Sequence, residues 1–260
     1  MSFLIFVENT FVQLILEITQ QSIAAFQFTG SEIQLLEKAN CTKRTDVGYK
    51  EVLTQVIEKI GNLDRFENFS CSYFSQEFCL VPNSLFAASV PETLLQYTVH
   101  KTISKSDVDY NRLPEWSAVI IYQLPMWVKS VLILKAPRIV IQHEIAHVLR
   151  HLTTGSLIPL RSHLVIHEEQ FSLVIRKDGN IVHTSIQEYQ SEEDIVYHLA
   201  TAFTQLKIDS KNELFLHGTG DQIESTQKKL ESHLKTIGLF SQSKIEIQPS
   251  THLQYQTLCV

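Results

Sequence analysis

The chain has 260 residues, 44% of them hydrophobic and 19% charged. That suits one large or two small packed domains and excludes disordered and collagen-like chains. A formal net charge of -6 and a pI near 6.0 leave no basic surplus to neutralise phosphates, so nucleic acid is not an expected partner.

Phe3 to Val7 are apolar, but the run lacks a basic leader, meets Glu8 at once and has no small-residue cleavage site. It does not read as a signal peptide. No stretch approaches the roughly 20 apolar residues of a membrane-spanning helix, so no membrane role is expected. Cys41, Cys71, Cys79 and Cys259 form no CxxC pair, as suits reduced thiols in a cytoplasmic protein.

The segment from Leu14 to Ile23 aligns with that from Leu164 to Leu173, about 150 residues later, in pattern more than identity. In each, an apolar run ends in polar residues and restarts on serine, the pattern of two antiparallel strands joined by a tight turn. A third strand follows in each half, Ile33 to Lys38 after Gly30 and Ile181 to Gln187 after the turn dipeptide Asp178-Gly179.

Helical patterns come next. Val52, Leu53, Val56, Ile57 and Ile60 recur at helix spacing before Gly61, where a left-handed C-terminal conformation is expected. In the second half a helix opens at Ser191, its expected cap, and carries Ile195, Leu199, Ala202, Phe203 and Leu206. Strands are expected from Phe69 to Phe74 and from Glu213 to His217, then a helix from Ile223 to Ile237 ended by Gly238, and a strand from Lys244 to Ile247.

Both halves therefore read strand-strand-strand-helix-strand-helix-strand. This resembles the actin, sugar-kinase and heat-shock chaperone superfamily, and the resemblance is one of topology over nearly the whole chain. Phe78 to Phe86, with Leu80-Val81-Pro82 and Leu85-Phe86, looks like the strand-to-helix turn of an uncharacterised bacterial family catalogued as a domain of unknown function. Ala118 to Pro125 resembles that family's next strand and proline turn. The resemblance implies an α/β chain of two actin-like (ribonuclease H-like) halves, residues 1–158 and 159–260, meeting near Ser156 to Ser162, and implies no assigned activity.

Active members of that superfamily hold ATP between the halves with two Asp-x-Gly-Thr hairpins, in which an acid positions the metal and glycine lets backbone N–H groups approach the phosphates. Here Glu17 stands for the acid, Thr19 for the glycine, and Ser22 is the one unaltered polar match. In the second hairpin His167 replaces the acid and Glu169 the glycine, with Glu168 between them. Two carboxylates beside a polyphosphate, repelling it by about 4 kcal/mol per charge pair at about 4 Å, would oppose binding without a metal. Glycine is scarce, 8 in the chain against a usual share of about 7%. The exception is Leu214 to Gly220, where Gly218 and Gly220 resemble the adenosine turn; the bland alternative is a strand-to-helix connection with Asp221 as cap.

His143-Glu144-Ile145-Ala146-His147 is an HExxH motif, which in zinc peptidases puts two imidazoles on one helix face with a general-base glutamate. Glu168, His151 or His167 could complete the set. Against it, Pro137 followed by β-branched residues to Gln142 predicts a strand ending near His143, with the helix starting at about Glu144. No GxSxG elbow, Walker loop or post-strand GxGxxG occurs. Glu168-Glu169 and Glu192-Glu193 read as a turn and a solvated first helical turn, and Phe66, Phe69, Tyr73, Phe74 and Phe78 as core.

The expectation is a non-enzymatic scaffold or interaction protein with a degenerate nucleotide cleft, no cofactor and an unknown protein partner, with homo-oligomerisation left open. The alternatives are a zinc hydrolase using His143, His147 and Glu168, with Glu144 as base, and an adenine-nucleotide binder using Glu17, Ser22, Gly218 and Gly220.

Overall fold

The computed structural model describes residues 12–30, 32–152, 160–208, 213–218, 221–236, 244–249 and 251–257. The first half opens with β1 (Gln13–Ile18), β2 (Ser22–Phe28) and β3 (Ile33–Asn40), then α1 (Asp46–Ile60) and β4 (Asn68–Tyr73). The second half repeats the order with β9 (Leu160–Ile166), β10 (Gln170–Lys177), β11 (Asn180–Glu188), α5 (Glu192–Gln205), β12 (Glu213–Gly218), α6 (Asp221–Thr236) and β13 (Lys244–Pro249).

Between β4 and the close of the first half lie β5 (Phe78–Pro82), α2 (Pro91–Val99), β6 (Val108–Leu113), β7 (Ala118–Gln123), α3 (Met126–Lys135), β8 (Val140–His143) and α4 (Glu144–His151). The chain of described elements ends with α7 (Thr251–Thr257).

Two five-stranded sheets share one topology, β3-β2-β1-β4-β8 and β11-β10-β9-β12-β13. In each, the first three strands pair antiparallel and the last three parallel. A third sheet, β5-β7-β6, is an insertion in the first half that the repeat reading did not contain. The segments Phe78 to Phe86 and Ala118 to Pro125 thus lie in this insert and not in the main sheet, with α2 over its Cys79, Val119 and Ile121 face.

Alternation along the strands builds the layers. Leu14, Leu16 and Ile18 of β1 pack under Leu53, Val56 and Ile57 of α1, while Ile15, on the opposite face, packs against Leu253 of α7. In β9, Leu160, Leu164 and Ile166 belong to the α5 and α6 core, whereas Val165 joins the apolar cluster that holds Ile145, Val148 and Leu149 of α4.

Both α4 and α7 touch both five-stranded sheets. α4 touches β4 and β8 of one sheet and β10 of the other, and α7 touches β1 and β4 as well as β12 and β13. Gln256 of α7 is buried, its side-chain oxygen accepting from Ser70 Oγ at 3.3 Å. The expected boundary falls mostly on residues 153–159, outside the described residues, as do Phe3 to Val7, Gly155, Gly238 and Cys259.

Local signals behave as their chemistry requires. Asp178 and Gly179 both take positive φ, 50° and 81°, the backbone that a two-residue hairpin turn needs. Ser191 precedes α5 as cap, and the Asp194 carboxylate accepts from the N–H of Gln190 and Ser191 at 2.9 and 3.0 Å. Gly61 has positive φ, 78°, but ψ is -128°, so it closes α1 outside the left-handed helical conformation expected for it.

Candidate functional site

The two hairpins expected to hold phosphates meet, Gln21 of the first donating to Glu169 of the second. Thr19 N–H donates to Ser22 O at 3.0 Å, and His167 N–H to Gln170 O at 2.8 Å. Since Ile18 pairs with Ile23 and Ile166 with Phe171, Ile18 is the counterpart of Ile166 and the matched sequence segments are two residues out of step. A two-residue slip keeps every side chain on its proper face, so the apolar pattern alone could not reveal it. The counterpart of Glu17 is therefore Val165, and His167 corresponds to Thr19.

The first turn consumes its own donors. Thr19 Oγ1 accepts from Gln21 N–H at 3.2 Å and from Ser22 N–H at 3.0 Å, while the Gln20 carbonyl accepts from Tyr49 Oη at 2.9 Å. Backbone donors of this kind are what a phosphate cradle must leave free. Ser22 is buried and Glu17 half-buried, and the Glu17 carboxylate acts electrostatically on the His147 and His167 rings.

Glu144, at the first position of α4, crosses to the second half. Its Oε2 lies 2.7 Å from His167 Nε2, and Ser172 Oγ donates to its Oε1 at 2.5 Å. Burial alone would lower the His167 pKa, but the charge and hydrogen bond of Glu144, with the charge of Glu17, outweigh it and raise the ring to about 9. The His167 ring is thus charged at neutral pH. Phe74 meets the His167 ring edge-on, centroids 4.9 Å apart, and Tyr189 Oη donates to the His167 carbonyl at 2.5 Å.

At the mouth, Lys38 Nζ reaches Glu168 at 2.6 Å and Arg44 reaches Glu169 at 2.7 Å, joined by Gln21 Nε2 to Glu169 at 3.3 Å. The two carboxylates expected to repel phosphate instead tie the second hairpin to the first half. Being half exposed, these outer pairs contribute at most about 1 kcal/mol each, whereas removing one partner of the buried Glu144–His167 pair would cost about 3–5 kcal/mol.

The HExxH residues do not share a helix. His143 ends β8 and caps α4: Nδ1 accepts from Ile145 N–H at 3.3 Å, Nε2 bonds the Ser75 carbonyl at 2.9 Å, and φ and ψ of -67° and 141° are extended. Both its ring nitrogens are used within the protein. His147, one turn on, is hydrogen-bonded to the Cys71 backbone. Burial lowers both rings, His143 to about 4 and His147 to about 3. Among the described residues no three His, Cys, Asp or Glu side chains are grouped to hold a metal ion. His151, at the end of α4, lies beside His163, ring centroids 6.1 Å apart.

Gly218 ends β12. A Cβ there would sit 3.0 Å from the Ile166 carbonyl, so close packing of two strand ends explains the glycine without any ligand. Gly220 and the side chain of Asp221 lie outside the described residues. Sequence reasoning missed a buried pair, His163 Nδ1 to His217 Nε2 at 2.8 Å, visible in the sequence only as histidines in otherwise apolar strands.

The strand order shared by the two sheets, with helices that contact both, defines an α/β protein of actin-like ATPase fold. Over residues 6–237 the chain matches DUF3822, described as a protein of unknown function, and it belongs to that family. It is similar to a Bacteroides thetaiotaomicron protein with actin-like ATPase fold and unknown function, at 16% identity over 100% of both chains and TM-score 0.78. Weaker likenesses are a PilM-PilN type IV pilus biogenesis complex (13% identity, 95% of this chain and 94% of that one, TM-score 0.54) and a Streptomyces griseus ROK family glucokinase in complex with glucose and AMPPNP (8% identity, 95% and 98%, TM-score 0.51). No curated protein matches the chain.

Proposed function

We propose that this chain is a non-enzymatic scaffold or protein-interaction module, in which the cleft that holds nucleotide elsewhere in the fold is held shut by the protein's own side chains. The supporting observation is the buried Glu144–His167–Ser172 lock between the halves. A polyphosphate at the second hairpin would have to displace Glu168 and Glu169 from Lys38 and Arg44 and meet the Glu144 carboxylate. The likeness to a pilus-assembly complex, in which a chain of this fold is named together with a partner, is compatible with an interaction role.

An adenine-nucleotide binder is disfavoured by the packing explanation for Gly218. A zinc hydrolase is disfavoured by the strand at His143 and by the occupied nitrogens of that ring. Calorimetric titration with Mg-ATP tests the proposal: no saturable heat is expected, and stoichiometric binding would replace it with the nucleotide-binder reading.

A further inference from the structure

A cavity of about 210 Å³ opens on the first half beside the β1–β2 turn, between the amino ends of α1 and α3. It is below the roughly 300 Å³ lower end of ordinary small-molecule sites, hence too small for a nucleotide and suited to one side chain. Its walls include Tyr49, Tyr73 and Trp127, with Asp46 and Glu77 and no basic residue. The Tyr49 and Trp127 rings are parallel within 3°, with centroids 6.0 Å apart.

Two helix starts would by themselves favour an anion. Here one donor at each start is engaged by a side chain: Gly48 N–H donates to Thr45 Oγ1 at 3.2 Å and Met126 N–H to Asp107 Oδ1 at 2.9 Å. Nearby cations are engaged as well, Lys101 by Glu77 and Arg44 by Glu169, and Asp46 has no ion-pair partner among the described residues. Burial pushes the Tyr73 phenol up, with smaller contributions in the same direction from Tyr49, Cys71, Asp46 and Glu77. Aromatic faces with a carboxylate attract organic cations. Val47 and Met126, sequence neighbours of Asp46 and Trp127, are exposed apolar side chains, 68% and 48% accessible.

The geometry points to a binding site for a cationic group of side-chain size, an alkylammonium or guanidinium, supplied by a lysine or arginine of a partner protein whose apolar neighbours contact Val47 and Met126. The site lies beside the interlobe lock and does not depend on that lock's excluding nucleotide.

With 2 tryptophans in the chain, indole N–H signals in two-dimensional NMR give a direct readout, assigned with Trp127→Phe. The probes are the N-acetyl N-methylamides of lysine, arginine and norleucine, together with tetramethylammonium and inorganic phosphate. The lysine or arginine derivative should shift the Trp127 signal saturably and the neutral norleucine derivative should not. Asp46→Asn should weaken binding about tenfold, and Tyr49→Leu should weaken it independently. Saturation by phosphate, equal binding of norleucine, or unchanged affinity in both variants would overturn the cation site. Binding of tetramethylammonium alone would overturn a protein side chain as its source.

Discussion

The Glu144 carboxylate, on the first turn of an interlobe helix, lies 2.7 Å from Nε2 of His167 in the opposite half's hairpin, with both side chains nearly inaccessible to solvent. A buried pair of this kind is costly to form and more costly to break. Glu144→Ala or His167→Ala should each destabilise the protein by about 3–5 kcal/mol in denaturant unfolding, while the double change should cost much less than their sum. Additive losses would remove the lock from the account.

The pH dependence follows from the same ring. His167 is raised to about 9, above its unfolded value of about 6.5, so its contribution is complete below about 6.5 and is lost as pH rises through 9. The stability difference between wild type and His167→Gln should therefore shrink from pH 6 to pH 9, as measured by urea unfolding at fixed ionic strength.

Acid acts through other histidines. Burial holds His143 at about 4, His147 at about 3 and His163 at about 3, all below the unfolded value, so their contribution is present above about 6.5 and lost as pH falls. Near pH 5 these rings take up about three protons on unfolding, a slope of about 4 kcal/mol per pH unit. A net uptake below one proton would contradict this assignment.

Gly218 has little room for a side chain. Gly218→Ala should cost about 1–3 kcal/mol through the close approach to the Ile166 carbonyl, read as a lowered melting temperature whether or not ATP is present.

With His143 serving as the cap of α4, the proposed reading expects chelator treatment to leave thermal unfolding unchanged. His143→Ala should destabilise by about 1–3 kcal/mol, because it strands the partner groups of a buried ring. A chelator-dependent melting temperature would restore the zinc reading.

Much of the architecture was legible because strand alternation and helix spacing repeat in both halves, and turn chemistry at Asp178-Gly179 and Ser191 agreed with them. The strand ending at His143 could be read from Pro137 and the β-branched run, which separated HExxH from a peptidase helix. What escaped was long-range. A two-residue slip in aligning the hairpins preserves face polarity, so His167 was set against Glu17 when Val165 is its counterpart. The β5-β7-β6 insert has the same local signals as main-sheet strands. The destination of Glu144 depends on packing between halves, which no local pattern encodes.

The proposed closure of the nucleotide cleft is tested most directly by the distance between the halves. Spin labels at Glu58→Cys on α1 and Lys228→Cys on α6, in a Cys259→Ser background, report that distance by pulsed electron resonance. The account predicts one narrow distance distribution, unchanged by Mg-ATP. A second population, or a shift when nucleotide is added, would contradict it.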